Sequence, residues 1–196
     1  MSAQSQQPSR IDVWAARGGQ GATTVAGALA SFLHAPVVGP DLEALQWIWG
    51  GLPEPSRSHW LVLDRGSLGG EGGQGIDIVV VRGPCTLALK ALTGWQACPD
   101  HIILLREPWR SLRTRDIEDC LGRSIDVEIP FSPRVARLAD AGLLPGRIHV
   151  LSEFYALKEW SLEVFATSTP REVRGPPMQS VPESVSLTAV ESNRHG

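Results

Sequence analysis

What this sequence has little of excludes several kinds of protein. The three cysteines, Cys85, Cys98 and Cys120, are odd in number and show no C-x-x-C or Cys/His ligand spacing. That pattern speaks against a disulfide framework and against zinc, and the three are expected to be buried thiols. No apolar run comes near the ~20 residues needed to cross a bilayer. The first ten residues, MSAQSQQPSR, are polar and lack an apolar centre, so no signal peptide is expected and the site of action is expected to be the cytoplasm. A formal net charge of −3 gives no global attraction to nucleic acid, whose binding rests on neutralising phosphates. Only a local basic patch remains as a route to DNA.

What is present is enough for one domain with a real core: 196 residues, of which 42% are hydrophobic. Apolar runs at 11–15, 36–39, 60–64, 76–81, 101–105 and 126–129 read as strands, and helical stretches separate them. The alternation predicts an α/β fold, a doubly wound, mostly parallel sheet flanked by helices. The run IDIVVV at 76–81 is too continuous for a strand with one wet face and predicts burial on both. Helices are expected at 22–33, 42–49, 85–92, 111–121 and 154–166, with another following Pro133. The glycine-rich segment 66–75 (GSLGGEGGQG) is expected to be a mobile loop, and 50–58 a second loop.

Residues 11–33, IDVWAARGGQGATTVAGALASFL, organise the rest. A short strand breaks at Gly18, Gly19 and Gly21 and resumes as a small-residue helix. Strand, glycine turn and helix are the context of a phosphate-binding loop. Glycines allow backbone angles other residues avoid, and the helix start offers unpaired N–H groups and a positive dipole end to an anion. The spacing departs from G-x-x-x-x-G-K-[ST] in two places: Ala16 begins it, and Ala22 stands where lysine would grip the phosphates. Thr23 keeps a hydroxyl at the position that holds magnesium.

Arg17-Gly18-Gly19-Gln20-Gly21-Ala22-Thr23-Thr24 resembles the deviant Walker A motif, [K/R]-G-G-x-G-[K/A]-T-T, of the ParA/MinD family of P-loop ATPases, of the SIMIBI class. The Ala-Thr-Thr ending looks most like the CpaE/TadZ branch, which positions pilus and secretion machinery. A second resemblance lies at residues 127–142, where Ile129-Pro130 and the helix-like stretch after it match the family's I-P-x-x-x-x-[VIA]-x-x-A-x-x-x-G element. The resemblance spans 11–166 as one P-loop NTPase-like domain, with 1–10 expected to be flexible and 167–196, rich in Pro, Ser, Glu and Arg, expected to be disordered.

The resemblance implies a set of roles. Gly18, Gly19, Gln20, Gly21, Ala22, Thr23 and Thr24 would cradle the phosphates of ATP or ADP, and Pro130 and Phe131 would lie beside the base, although Phe131 reads more readily as core. Thr23 and Asp64, the latter ending the run HWLVLD as a Walker B acid does, would arrange Mg2+. Arg17 takes the place of the lysine that reaches a partner's nucleotide. Asp41 is either the surviving acid near the attacking water or the N-cap of the helix after it. Leu105 stands where relatives often carry an Asn that reads adenine. Asp41 and Asp64 are only 23 positions apart, and the family places a longer insert there.

The implied function is a nucleotide-binding positioning or assembly factor with a degenerate loop and weak or no hydrolysis, a pseudo-ATPase. Two alternatives stand beside it: an active ATPase in partitioning or localisation, with Arg17 replacing the missing charge, and a scaffold that binds no nucleotide. The partner is expected to be a protein, either a second copy or a larger related or cargo protein. Arg106, Arg110, Arg113 and Arg115 face DNA or an acidic partner, or form a solvated helix face among Glu107, Asp116, Glu118 and Asp119. No basic amphipathic tail suggests a membrane.

Overall fold

A computed structural model describes residues 9–49, 58–83 and 85–166. The expectations for the 167–196 tail, for most of the 1–10 segment and for nearly all of the 50–58 loop lie outside the described residues. Six strands, β1 (Ser9–Ala15), β2 (Val37–Val38), β3 (Trp60–Ser67), β4 (Ile76–Arg82), β5 (His101–Arg106) and β6 (Val127–Pro130), form one sheet in the order β2-β3-β1-β4-β5-β6. Every neighbouring pair is parallel. β1 starts two residues earlier than expected, because the Ser9 N–H already donates to the His59 carbonyl at 2.7 Å.

Two apolar layers cover the sheet. Even-numbered residues of β4, Ile78 and Val80, feed one core with Val62, Ile103 and Ile129, while Val79 and Val81 feed the other with Ile102 and Leu104. Burial on both faces is why this strand reads as an unbroken β-branched run. Helices α1 (Ala22–Phe32), α2 (Leu42–Trp49), α5 (Pro133–Asp140) and α6 (Tyr155–Ala166) pack on the first face, and α3 (Thr86–Thr93) and α4 (Thr114–Leu121) on the second. α4 begins three residues later than expected because Asp116 accepts the Arg113 N–H at 2.7 Å, closing the N-terminal turn there.

Residues 68–75 form a loop, as expected, while Gly66 and Ser67 belong to β3. The amides of Gly73 and Gly75 tie that loop to two buried carboxylates. Gly75 N–H donates to Asp12 at 3.0 Å, and Gly73 N–H donates to Asp77 at 2.9 and 3.1 Å. Asp12 is fully buried and also receives the Arg65 guanidinium at 2.5 Å. Such carboxylates need donors, and glycine amides approach where a Cβ would collide with Asp12 or with the Arg10 backbone. Burial raises the pKa of Asp77 above its ordinary value, against the lowering effect of the Trp14 indole N–H bond at 2.7 Å.

The cysteines also differ from expectation. Cys98 and Cys120 are exposed and Cys85 is half-buried, since α4 turns only Ile117 fully inward and leaves Cys120 on its outer side.

One pH effect arises from the packing of α1. The His149 ring sits 3.0 Å from the Ser31 hydroxyl and edge-on to Phe32. Burial, then Lys158 and His34, lower its pKa below 6.5. Below that value the unfolded chain takes up a proton the folded one resists, so this contribution to stability is complete above pH 6.5 and declines as pH falls toward the folded pKa. Thermal midpoints measured at pH 7.5 and 5.5 are expected to differ less in His149→Gln than in the native chain.

Candidate phosphate loop

β1 ends with Ala15 and Ala16 buried, the latter bonded through its N–H to the Val80 carbonyl at 2.9 Å. The chain then leaves the sheet at its carboxyl edge, and Arg17, Gly18 and Gly19 are exposed. Gly19 and Gly21 adopt φ of +74° and +88°, a region in which glycine carries no Cβ penalty. Gly21 is also the N-cap of α1, which has no side-chain cap and no acid in its first turn. The opening amides of α1 therefore have no side-chain cap, at the positive end of the helix dipole. The Thr23 hydroxyl makes no hydrogen bond among the described residues. Ala22 is buried in the first core, and Leu105 packs against Gly21, so close that a Cβ there would lie 2.5 Å from its Cδ1.

Two acids were expected nearby. Asp64 shares a sheet face with Trp60 and Val62, the face that carries α1. It is buried, and its Oδ1 accepts the Gly66 N–H at 3.0 Å, while Oδ2 has no partner among the described residues. Asp41 is exposed, and its Oδ1 accepts the Ala44 N–H at 2.8 Å. The N-cap reading of Asp41 is therefore realised. No group of three or more His, Cys, Asp or Glu suited to a metal occurs among the described residues. Any magnesium here would take its remaining ligands from Thr23, water and the phosphates themselves.

The other flank of the loop holds a network that sequence reading passed over. The Gln20 side-chain oxygen accepts the Arg82 backbone N–H at 2.5 Å, and the Arg82 guanidinium lies 3.4 Å from the Gly19 carbonyl. Glu107, 7% exposed, binds Arg82 Nε and Arg110 Nε, each at 2.9 Å. Burial raises the pKa of Glu107, but hydrogen bonds from Arg110 and Arg82 outweigh it and leave it lowered. The available signal was position: Arg82 ends a buried parallel strand at the edge where ligands of open α/β sheets gather.

Phe131, expected in the core, is half-buried, with Trp109 edge-on at 4.9 Å and the Arg82 guanidinium 5.6 Å above its ring. The proline before it ends β6, and the Phe131 N–H is spent on the Arg106 carbonyl at 2.8 Å, which holds the ring at the sheet's carboxyl edge and not beneath it. The four arginines do not share one face. Arg106 pairs with Glu128 at 3.2 Å and Arg110 with Glu107, whereas Arg113 and Arg115 are exposed at the start of α4. Arg17 forms no ion pair among the described residues. Its charge and that of Arg110 reach the Cys85 thiol, whose pKa is lowered chiefly by the Ala88 N–H, over the opposing effect of burial, with Leu87 N–H and the two arginines adding to it.

No family model matches this chain, and no curated protein matches it in sequence. Solved structures do. The chain is similar to a ParA family ATPase from Chlorobium tepidum TLS, with a TM-score of 0.57 and 14% identity over 81% of this chain and 100% of that one. It is also similar to a chain of the MinC:MinD cell division protein complex of Aquifex aeolicus, TM-score 0.62 and 15% identity over 83% of this chain and 97% of that one. The MinD cell division protein of Aquifex aeolicus matches at 0.58 and 15% over 83% and 99%. At such identities the likeness shows the fold, an α/β sheet of the P-loop NTPase kind seen in ParA and MinD proteins.

Proposed function

We propose that this chain is a ParA/MinD-like positioning or assembly factor, nearest in motif to the CpaE/TadZ branch, whose degenerate loop binds ATP or ADP with Mg2+ weakly and hydrolyses it slowly or not at all. One observation carries the reading. The loop between β1 and α1 keeps two positive-φ glycines and an uncapped helix start with no acid in its first turn, while the Thr23 hydroxyl and Oδ2 of Asp64, at the end of the neighbouring strand β3, have no partner among the described residues. These residues fit a magnesium–triphosphate group: open space at Gly19 allows close approach, the uncapped start of α1 offers amides to phosphate, and hard oxygens suit the cation.

Ala22 explains the weakness. A lysine there would add a charge-assisted contact worth about 1.5 to 3 kcal/mol, or roughly ten- to a hundredfold in affinity. Helical side chains lean toward the helix start, so a long side chain on residue 22 would reach back over the loop. The proposed partner is a protein, either a second copy or a cargo protein. The MinC:MinD complex is a case of such an assembly in a protein of the same fold.

Calorimetric titration with ATP and magnesium tests the proposal. The native chain is expected to bind weakly and release little phosphate, and Ala22→Lys to bind about tenfold or more tightly. Turnover that stops in Arg17→Ala would instead make this an active ATPase. Absence of binding in both forms would leave a scaffold.

A further inference from the structure

We propose that Arg82 supplies the positive charge that Ala22 leaves missing, reaching the phosphates from β4. This rests on the nucleotide reading above and names the residue that makes it workable without lysine. β3 and β4 flank β1 on its two sides. Asp64 on β3 and Arg82 on β4 follow the residues that feed the first core, Val62 on one strand and Ile78 and Val80 on the other, so strand alternation directs both toward the face that carries α1. An acid suited to magnesium and a cation suited to phosphate thus bracket one glycine loop.

Arg82 is held for that task while its tip stays available. Glu107 binds Nε at 2.9 Å and Phe131 lies 5.6 Å beneath the guanidinium. Nη1 has only a long contact to the Gly19 carbonyl, 3.4 Å, and Nη2 has no partner among the described residues. The side chain is 40% exposed, so these donors remain open to solvent. A guanidinium offers two parallel N–H groups to phosphate oxygens, the geometry in which arginine outperforms a point charge. The other cations are less well placed. Both lysines of the chain, Lys90 in α3 and Lys158 in α6, sit on other elements. Among the described residues, Arg110 also leans on Glu107 but makes no bond to the loop, and Arg17 is exposed with no hydrogen bond or ion pair.

The test is a set of calorimetric titrations of the native chain, Arg82→Ala, Arg82→Lys and Arg17→Ala with ATP and magnesium, and with tripolyphosphate as a base-free probe. Far-UV circular dichroism and thermal midpoints confirm that each variant folds. Arg82→Ala is expected to weaken both ligands by about tenfold or more, with Arg82→Lys recovering part of the loss and Arg17→Ala changing affinity less than Arg82→Ala does. If Arg82→Ala binds both ligands within about twofold of the native chain, Arg82 is only a latch on the loop and the proposal fails while the nucleotide reading stands. If it weakens ATP and leaves tripolyphosphate unchanged, the contact is to the base or sugar and the proposal also fails. A native chain that binds neither ligand overturns the nucleotide reading itself.

Discussion

Replacing Gly27 with alanine is expected to cost about 1 to 3 kcal/mol of stability, an overpacking penalty where α1 meets α2. Gly27 lies in α1 where the Trp49 indole of α2 closes on the helix backbone, and an added Cβ would overlap Cε2 and Nε1 and come within 2.5 Å of Cζ2. Trp49 is 5% exposed and packs into the first core with Leu45. Denaturant midpoints measure the loss, and Trp49→Leu in the Gly27→Ala background is expected to recover part of it. A Gly27→Ala chain as stable as the native one would show that the two helices do not meet as described. Because α1 begins at the glycine turn, this packing also helps to fix where that turn sits.

Gly21→Val is expected to abolish detectable binding of ATP with magnesium, a loss of a hundredfold or more if native binding is already weakened by the absence of lysine. A β-branched residue does not settle at a φ of +88°, and Leu105 already fills the space where its Cβ would go. The loop must therefore change shape, which turns the first amides of α1 away from a common point. The fold is expected to survive, since Gly21 lies at the carboxyl edge of the sheet and outside both cores. Calorimetry reads the first effect and circular dichroism the second. Unchanged affinity in a folded Gly21→Val chain would mean that the ligand sits elsewhere.

Much of this architecture was legible in the residues, for identifiable reasons. IDIVVV announces a strand buried on both faces, and the order of strands and helices then admits few topologies but a parallel doubly wound sheet. The glycine turn was legible because three glycines between a strand and a helix have few other uses. Contacts made by distant residues were not legible. Nothing local in GSLGGEGGQG reveals that Asp12 and Asp77, buried in other strands, need its amides. Phe131 reads as core by hydrophobicity, and only the meeting of β4, β5 and β6 places it between Arg82 and Trp109. Glu107 reads in sequence as one charge among the arginines around it, yet it is the buried carboxylate that joins Arg82 to Arg110. Asp41 was equally compatible with a cap and with a catalytic acid, and its 2.8 Å bond to the Ala44 N–H became visible only in three dimensions.

Main-chain amides at one glycine turn are proposed to hold phosphate without a lysine. Backbone amide resonances of the native chain, followed while ATP with magnesium or tripolyphosphate is added, test it most directly. Saturable shifts at Gly18, Gly19, Gly21, Ala22, Thr23 and Thr24 are expected with both ligands. Resonances that stay still there, or shifts confined to Arg113 and Arg115, would contradict it.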